Sequence, residues 1–225
     1  MTDPNQPMAF PILVRFAKTG MMRFVGHLDW LALQQAMYLK AGLPIVIGEG
    51  PTKKLRIKTS PPTPVSVASE VEFTYILMAE RIYPDEVARR LNSICPEGIS
   101  VMAVSDAGHL ARKNPFGKIE AASYVLNFPW TLSGELPDSI SETFRAIIEN
   151  RLDNEPETDG FAGRILEFSR TEEGYKLMTL QREGDTFHGA KCASYLENKF
   201  SLPGYPQFTK THYYRLKPTM RRLFS

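Results

Sequence analysis

The stretch KTGMMRFVGHLDWLALQQAM, residues 18–37, decides the fold because it joins a strand to a helix. Before it, apolar residues alternate over residues 12–16, which predicts a strand, and MMRFV is expected to continue that strand. From residue 28 onward the apolar spacing becomes helical. Gly26 permits the change of direction, and Asp29 stabilises the helix start because a carboxylate there faces the positive end of the helix dipole.

Two apolar stripes run along the helix predicted from residue 28 to residue 41. One stripe contains Leu28, Leu31, Ala32 and Leu39, and the other contains Trp30, Leu33 and Met37. A helix that is apolar on two sides is expected to be well buried. Gly42 follows it in the usual place for a left-handed C-terminal cap.

Further strands and helices continue this pattern in both halves of the chain. Strands are predicted at 54–60, 70–78 and 99–105, and a helix at 83–94, so the order up to residue 105 is β-α-β-β-α-β. A similar order returns with a strand at 122–130, a helix at 137–152, a hairpin at 164–184, a helix at 189–200 and a strand at 208–216. The predicted fold class is α+β, with two tandem ferredoxin-like halves of the RNA-recognition-like kind. They are residues 1–105, which carry the motifs described below, and residues 121–225, which end in a basic tail, joined by a linker or long loop at 106–120.

The composition excludes several classes of protein. The chain has 225 residues, is 43% hydrophobic and 23% charged, and has no apolar run long enough to span a bilayer. Its first residues lack the features of a secretion signal, and Cys95 and Cys192 are expected to be reduced thiols in the cytoplasm. Two cysteines cannot hold an iron–sulfur cluster, and no spaced Cys/His set suggests zinc. The chain also lacks nucleotide-binding loops and a nucleophile elbow, so no cofactor or metal is predicted.

The net charge of +2 conceals an uneven distribution along the chain. Lys and Arg concentrate in residues 1–60 and 186–225, whereas Asp and Glu are in excess in residues 135–185. Basic residues from both ends of the chain would form a surface for a polyanion such as RNA. The alternative is that the opposite charges intermix in the folded chain.

The strongest candidate for phosphate binding is the strand around KLRIKTS. Lys54, Arg56 and Lys58 alternate with Leu55 and Ile57, so the cations face away from the apolar side. Lys53 extends this set, and Arg15, Lys18 and Arg23 could extend it further; all are candidate nucleic-acid contacts. The alternative is a solvated outer face, on which lysines also protect an edge strand from aggregation.

Three segments in register resemble the radical SAM-linked protein family, a domain of unknown function encoded beside or fused to radical SAM enzymes. The first segment contains Lys18-Thr19-Gly20, Arg23-Phe24 and Gly26-His27-Leu28-Asp29. The second is Ala41-Gly42-Leu43-Pro44, and the third contains Pro64, Ser69-Glu70 and Glu72-Phe73. The resemblance implies association with a separate radical SAM enzyme and RNA modification. The family's NPHP stretch is replaced here by Thr52-Lys53-Lys54-Leu55, so its second histidine is absent.

His27 and its neighbours allow two interpretations. Gly26 and Asp29 are assigned structural, capping roles. The helix N-terminus disfavours a protonated imidazole, so His27 could act as a general base on a 2′-hydroxyl, as in endonucleases that process CRISPR repeats. A single histidine without an obvious partner is also compatible with a purely structural role.

Aromatic residues near the C-terminus are a further candidate for RNA contact. These residues, which would either stack on bases or fill a core between sheet and helix, are Phe208, His212, Tyr213 and Tyr214.

The leading functional prediction is a non-catalytic accessory protein that binds RNA, with tRNA favoured, and works with a radical SAM enzyme away from membranes. The alternatives are a metal-independent RNA endonuclease with His27 as general base, and a protein-interaction module without nucleic-acid binding.

Overall fold

The protein has a mixed α+β fold. The computed structural model describes residues 9–48, 54–110, 113–129, 138–149, 158, 161–171, 174–181, 187–216 and 221–223. The chain divides into two compact units: unit 1 is Met1–Pro62 with Glu72–Gly117, and unit 2 is Thr63–Val71 with Lys118–Ser225. A short segment from the first half of the chain therefore belongs to the second unit.

Unit 1 contains the elements predicted for the first half, in the predicted order. They are β1 (Phe10–Lys18), a 3-10 helix (Gly20–Phe24), α1 (His27–Lys40), β2 (Ile57–Thr59), β3 (Ala68–Met78, whose first residues lie in unit 2), α2 (Pro84–Asn92) and β4 (Ile99–Asp106). The strand order is β4-β1-β3-β2. The pairs β1–β4 and β2–β3 are antiparallel.

Unit 2 contains the elements predicted for the second half and one short additional strand. They are β5 (Ala121–Asn127), α3 (Asp138–Ile148), a 3-10 helix (Ala162–Arg164), β6 (Ile165–Thr171), β7 (Gly174–Leu180), α4 (Gly189–Phe200), β8 (Gln207–Arg215) and β9 (Arg221–Leu223). The strand order is β8-β5-β7-β6, and β9 pairs with β8. The start of β3 pairs in parallel with β8, with Ser69 in register with Lys210.

The segment MMRFV is not a strand, contrary to the expectation from its composition. Gly20 adopts a left-handed conformation with a φ of 53°, and the chain turns into the 3-10 helix. The amide of Met22 donates to the carbonyl of Thr19 at 3.0 Å, and the amide of Val25 donates to the carbonyl of Met22 at 3.0 Å. These local hydrogen bonds replace the ladder that a strand would need.

Helix α1 is buried on one side only, so the expectation of burial on two sides is wrong. Its buried residues are Trp30, Gln34, Met37 and Tyr38. Leu28 and Leu39, from the other predicted stripe, are 77% and 66% exposed. Gln34 takes a place on the buried side because its Oε1 accepts hydrogen bonds from the hydroxyls of Tyr38 at 3.2 Å and Thr74 at 2.8 Å.

The core of unit 1 lies between the helices and one face of the sheet. Ile12, Val14 and Phe16 of β1 pack in one cluster with residues of α1 and α2. Trp30 meets Phe16 edge-to-face, with ring centroids 5.6 Å apart. Burial raises the pKa of the Tyr38 hydroxyl, which is fully enclosed in this cluster. The intervening residues of β1 therefore face the opposite side of the sheet.

Helix α2 is amphipathic, with a charged network on its outer side. Val87 and Leu91 are buried, and the carboxylate of Glu86 accepts hydrogen bonds from Arg89 at 2.8 Å and from Arg90 at 2.7 Å. These bonds hold the pKa of Glu86 at about 2. The spacings i to i+3 and i to i+4 bring the three side chains together on one helix face.

Aromatic side chains dominate the core of unit 2. Phe144 stacks on Phe168 with centroids 4.6 Å apart, and Tyr124 meets Phe187 at 5.1 Å. Cys192 of α4 is completely buried. In the part of the chain that the structure describes, no helix is long and apolar enough to cross a bilayer.

Candidate nucleic-acid interface

The cations of the second strand lie on the face of the unit 1 sheet that is opposite the helices. In the β2–β3 register, Ile57 is opposite Ile76, which belongs to the helix-side core, and Lys58 is opposite Tyr75. Lys54, Arg56 and Lys58 are exposed, while Leu55 and Ile57 are half-buried and pack on the core. The predicted alternation of this segment is therefore confirmed. Lys53 lies outside the described residues.

Main-chain hydrogen bonds hold this cationic segment in place. The amide of Arg56 donates to the carbonyl of Val46 at 2.8 Å, and the carbonyl of Arg56 accepts from the amide of Leu77 at 3.1 Å. The amide of Gly48 donates to the carbonyl of Lys54 at 2.7 Å. The backbone is thus fixed on both sides, while the charged side chains remain exposed.

Arg15 shares this face, whereas Lys18 does not. Arg15 alternates along β1 with Val14 and Phe16 of the helix-side core, so it lies on the opposite face and is half-buried. Lys18 is only 1% exposed, and its ammonium donates to the carbonyl of Val25 at 3.3 Å. We therefore define the cationic face as Arg15, Lys54, Arg56 and Lys58 and leave Lys18 out of it.

The linker adds a residue that the sequence reasoning did not consider. The ammonium of Lys58 donates a hydrogen bond to the carbonyl of Lys113, whose own side chain is exposed. Other parts of this segment are anchored, because the amide of Ala107 donates to the carbonyl of Pro11 at 2.9 Å and Phe116 is buried. Because the acceptor is a main-chain carbonyl, no residue type in the linker signals this contact.

The strand-to-helix junction contains Arg23, Gly26, His27 and Asp29. Gly26 occupies the N-cap position of α1 with φ −66° and ψ 164°, and its carbonyl accepts from the amide of Trp30 at 2.9 Å. His27 is half-buried and Asp29 is exposed in the first turn of the helix. The guanidinium of Arg23 lies 4.9 Å from the centroid of the Phe24 ring, a cation–π geometry.

The aromatic residues near the C-terminus are mainly core residues. Phe208 and Tyr213 are buried, and the Phe208 ring lies 5.4 Å from that of Phe187. The ammonium of Lys210 is also buried and donates to the hydroxyl of Tyr213 at 2.7 Å. His212 is half-buried, with its Nδ1 3.4 Å from the hydroxyl of Ser123. We therefore place Phe208 and Tyr213 in the core and not on an RNA-binding surface.

Comparison with known proteins gives one family. The family described as "Uncharacterized protein conserved in bacteria (DUF2344)" matches residues 12–160, which is more than half of the chain. The chain belongs to this family. The match to DUF2344 includes the whole cationic face and the junction, and it ends before β6. No curated protein matches the chain. Among the described residues, no group of three or more His, Cys, Asp or Glu side chains could hold a metal ion.

Proposed function

We propose that this protein is a non-catalytic accessory protein that binds RNA, with tRNA as the favoured RNA, through the cationic face of unit 1. The observation that carries the proposal is the exposure of Lys54, Arg56 and Lys58 on a backbone held by hydrogen bonds. Lysine supplies point charges and arginine supplies a donor fork, and both bind backbone phosphates without reading sequence. Arg15 adds a fourth cation two strands away on the same face.

The proposed scaffold consists of two tandem ferredoxin-like units. The order β-α-β-β-α-β in each unit supports it, as do the strand orders β4-β1-β3-β2 and β8-β5-β7-β6. RNA-recognition modules of this architecture bind RNA on the sheet face that carries no helices. The cationic face is on that side of unit 1, where Leu13 and Tyr75 are buried, so the proposal is phosphate contact by the cations and not base stacking on the sheet. This part of the argument is an analogy between folds.

The proposed partner is a separate radical SAM enzyme acting on the same RNA in the cytoplasm. The support is the resemblance of three segments in register, which include Lys18-Thr19-Gly20 and Gly26-His27-Leu28-Asp29. The chain contains only Cys95 and Cys192, so the cluster of such a reaction would belong to the partner. In this arrangement the DUF2344 protein holds the RNA and the partner modifies it.

The test is the binding of labelled tRNA to the full chain, measured by fluorescence anisotropy at several salt concentrations. The variant K54Q/R56Q/K58Q removes three cations from the cationic face. The control R81Q/R145Q/R170Q removes three exposed cations outside the two basic regions. If all three cations contact phosphates, the slope of log affinity against log salt falls by about 2–3 in the first variant.

Two results would refute the proposal. One is the absence of salt-dependent binding by the unmodified chain. The other is an equal loss of affinity in the two variants, because the effect would then reflect net charge and not this face. Circular dichroism of both variants establishes that they are folded.

The same samples test the nuclease alternative. The junction places His27 half-buried in the first turn of α1, where its imidazole is the candidate general base on RNA. A nuclease would cut the RNA in EDTA and leave a 2′,3′-cyclic phosphate, and H27A would abolish the cut. Intact RNA on a gel after binding removes this alternative. The absence of any binding leaves a protein-interaction module.

A further inference from the structure

The outer side of α1 is an exposed, uncharged and mainly apolar surface. Leu28, Ala32, Gln35, Ala36 and Leu39 are all exposed, and together they form what we call the outer stripe. Helical geometry, at about 100° per residue, places these five side chains within a sector of about 100°. Leu28 and Leu39 are among the most exposed large apolar side chains of the described residues, at 77% and 66%. The stripe is thus a coherent surface and not a scatter of single side chains.

The outer stripe carries no charge along its length. From Trp30 to Leu39 the helix contains only apolar residues, two glutamines and a tyrosine. Surface helices normally have charged residues on the side that faces water. A stripe intended for phosphate contact would carry Lys or Arg, so this surface does not suit RNA. An uncharged, mainly apolar surface of this kind is suited to packing against another protein.

Charges of opposite sign flank the two ends of the outer stripe. Asp29 lies in the first turn and Lys40 in the last turn of α1, and both are exposed. They are about 16 Å apart along the helix axis. Relative to Leu28 they lie at about 100° and 120° around the axis, so both flank the same side of the stripe.

We propose that the outer stripe binds a second copy of this chain, with the two α1 helices antiparallel about a two-fold axis. In that arrangement the N-terminal end of each helix lies beside the C-terminal end of the other. Because Asp29 and Lys40 flank the same side of the stripe, Asp29 of each copy then meets the partner's Lys40. Leu28 of each copy comes within one helical turn of the partner's Leu39.

This charge arrangement favours a second copy over an unrelated protein. A two-fold interface must be self-complementary, because the same patch is presented by both subunits. An uncharged stripe with an acid at one end and a base at the other meets that condition only when the helices are antiparallel. A single helix pair makes a small interface, so the dimer is expected to be weak and to depend on protein concentration.

The experiment is sedimentation equilibrium of the full chain over a wide range of concentrations. The expected result is a concentration-dependent rise from 25.4 kDa toward twice that mass. L28E/L39E should remain monomeric throughout. The control M102E adds a charge at an exposed apolar residue on β4 and should dimerise like the unmodified chain. A chain that is monomeric at every concentration, or an L28E/L39E variant that still dimerises, would overturn the proposal.

A charge exchange tests the antiparallel arrangement independently. D29K and K40D each place like charges together across the proposed interface, so each should weaken dimerisation several-fold. The double variant D29K/K40D restores opposite charges and should recover most of the loss. Failure of the double variant to recover, with helix content shown to be intact by circular dichroism, would overturn the antiparallel pairing.

Discussion

Substitution of Gly98 by alanine should destabilise the protein more than any other single-methyl change near the junction. Gly98 has a φ of 83°, in the region that side chains other than glycine avoid. A Cβ there would lie 2.7 Å from the carbonyl oxygen of Thr19 and 2.9 Å from Cγ of Met22. The first contact is with backbone, which cannot move aside without breaking the hydrogen bond from the amide of Thr19 to the carbonyl of Gly98, now 2.8 Å long.

The expected cost is the sum of two effects. The left-handed conformation costs an alanine about 1–2 kcal/mol relative to glycine. Weakening of the Thr19–Gly98 hydrogen bond adds about 1 kcal/mol. We therefore expect G98A to lower the free energy of unfolding by about 2–3 kcal/mol.

G20A is the matched control for this prediction. Gly20 also has a positive φ, 53°, but a Cβ there would meet nothing within 4 Å. G20A should therefore lower the free energy of unfolding only by the conformational cost of about 1–2 kcal/mol. Urea unfolding followed by fluorescence in a Trp130→Phe background makes Trp30, in the unit 1 core, the reporter. If G98A costs no more than G20A, the close approach to Thr19 is not what fixes this turn.

Three further predictions concern α1, α2 and the two thiols. G26S should stabilise the protein by about 0.5–1 kcal/mol in urea unfolding, because the residue already has the extended conformation of an N-cap and its Cβ would lie 3.7 Å from the nearest atom. Glu86 should titrate near pH 2 by NMR, since hydrogen bonds from Arg89 and Arg90 lower its pKa from the ordinary 4.5 to about 2. Its stabilising contribution should be complete above pH 4.5 and lost as the pH falls through 2, and E86Q should lack this pH dependence. Under native conditions iodoacetamide should label half-buried Cys95 faster than Cys192, because complete burial raises the pKa of the Cys192 thiol.

Local periodicity was sufficient to predict most strands and helices, because alternation and helical spacing record which side of each element is buried. It failed where a contact distant in sequence decides the structure. The MMRFV segment has the composition of a strand, but the turn at Gly20 and the Thr19–Gly98 contact divert it into a 3-10 helix. The parallel pairing of Ser69 with Lys210 joins segments that no local pattern relates.

The candidate site was predictable to a similar degree. The exposure of Lys54, Arg56 and Lys58 followed from alternation on a single strand. The burial of Lys18 did not follow from alternation, because it depends on a hydrogen bond to the carbonyl of Val25, which lies in the turn after β1. Residue type alone suggests that a lysine lies on the surface. The contact between Lys58 and Lys113 required knowledge of where the linker runs.

The two proposals place RNA binding and self-association on opposite sides of unit 1. Trp30 and Met37 of α1 pack on the helix side of the sheet, whereas Arg56 and Lys58 project from the other side. The two functions should therefore be separable by mutation. We expect L28E/L39E to lose dimerisation while each chain retains its RNA affinity at concentrations at which the unmodified chain is monomeric. K54Q/R56Q/K58Q should lose RNA affinity and still dimerise. If either variant loses both properties while remaining folded, the two surfaces are not independent.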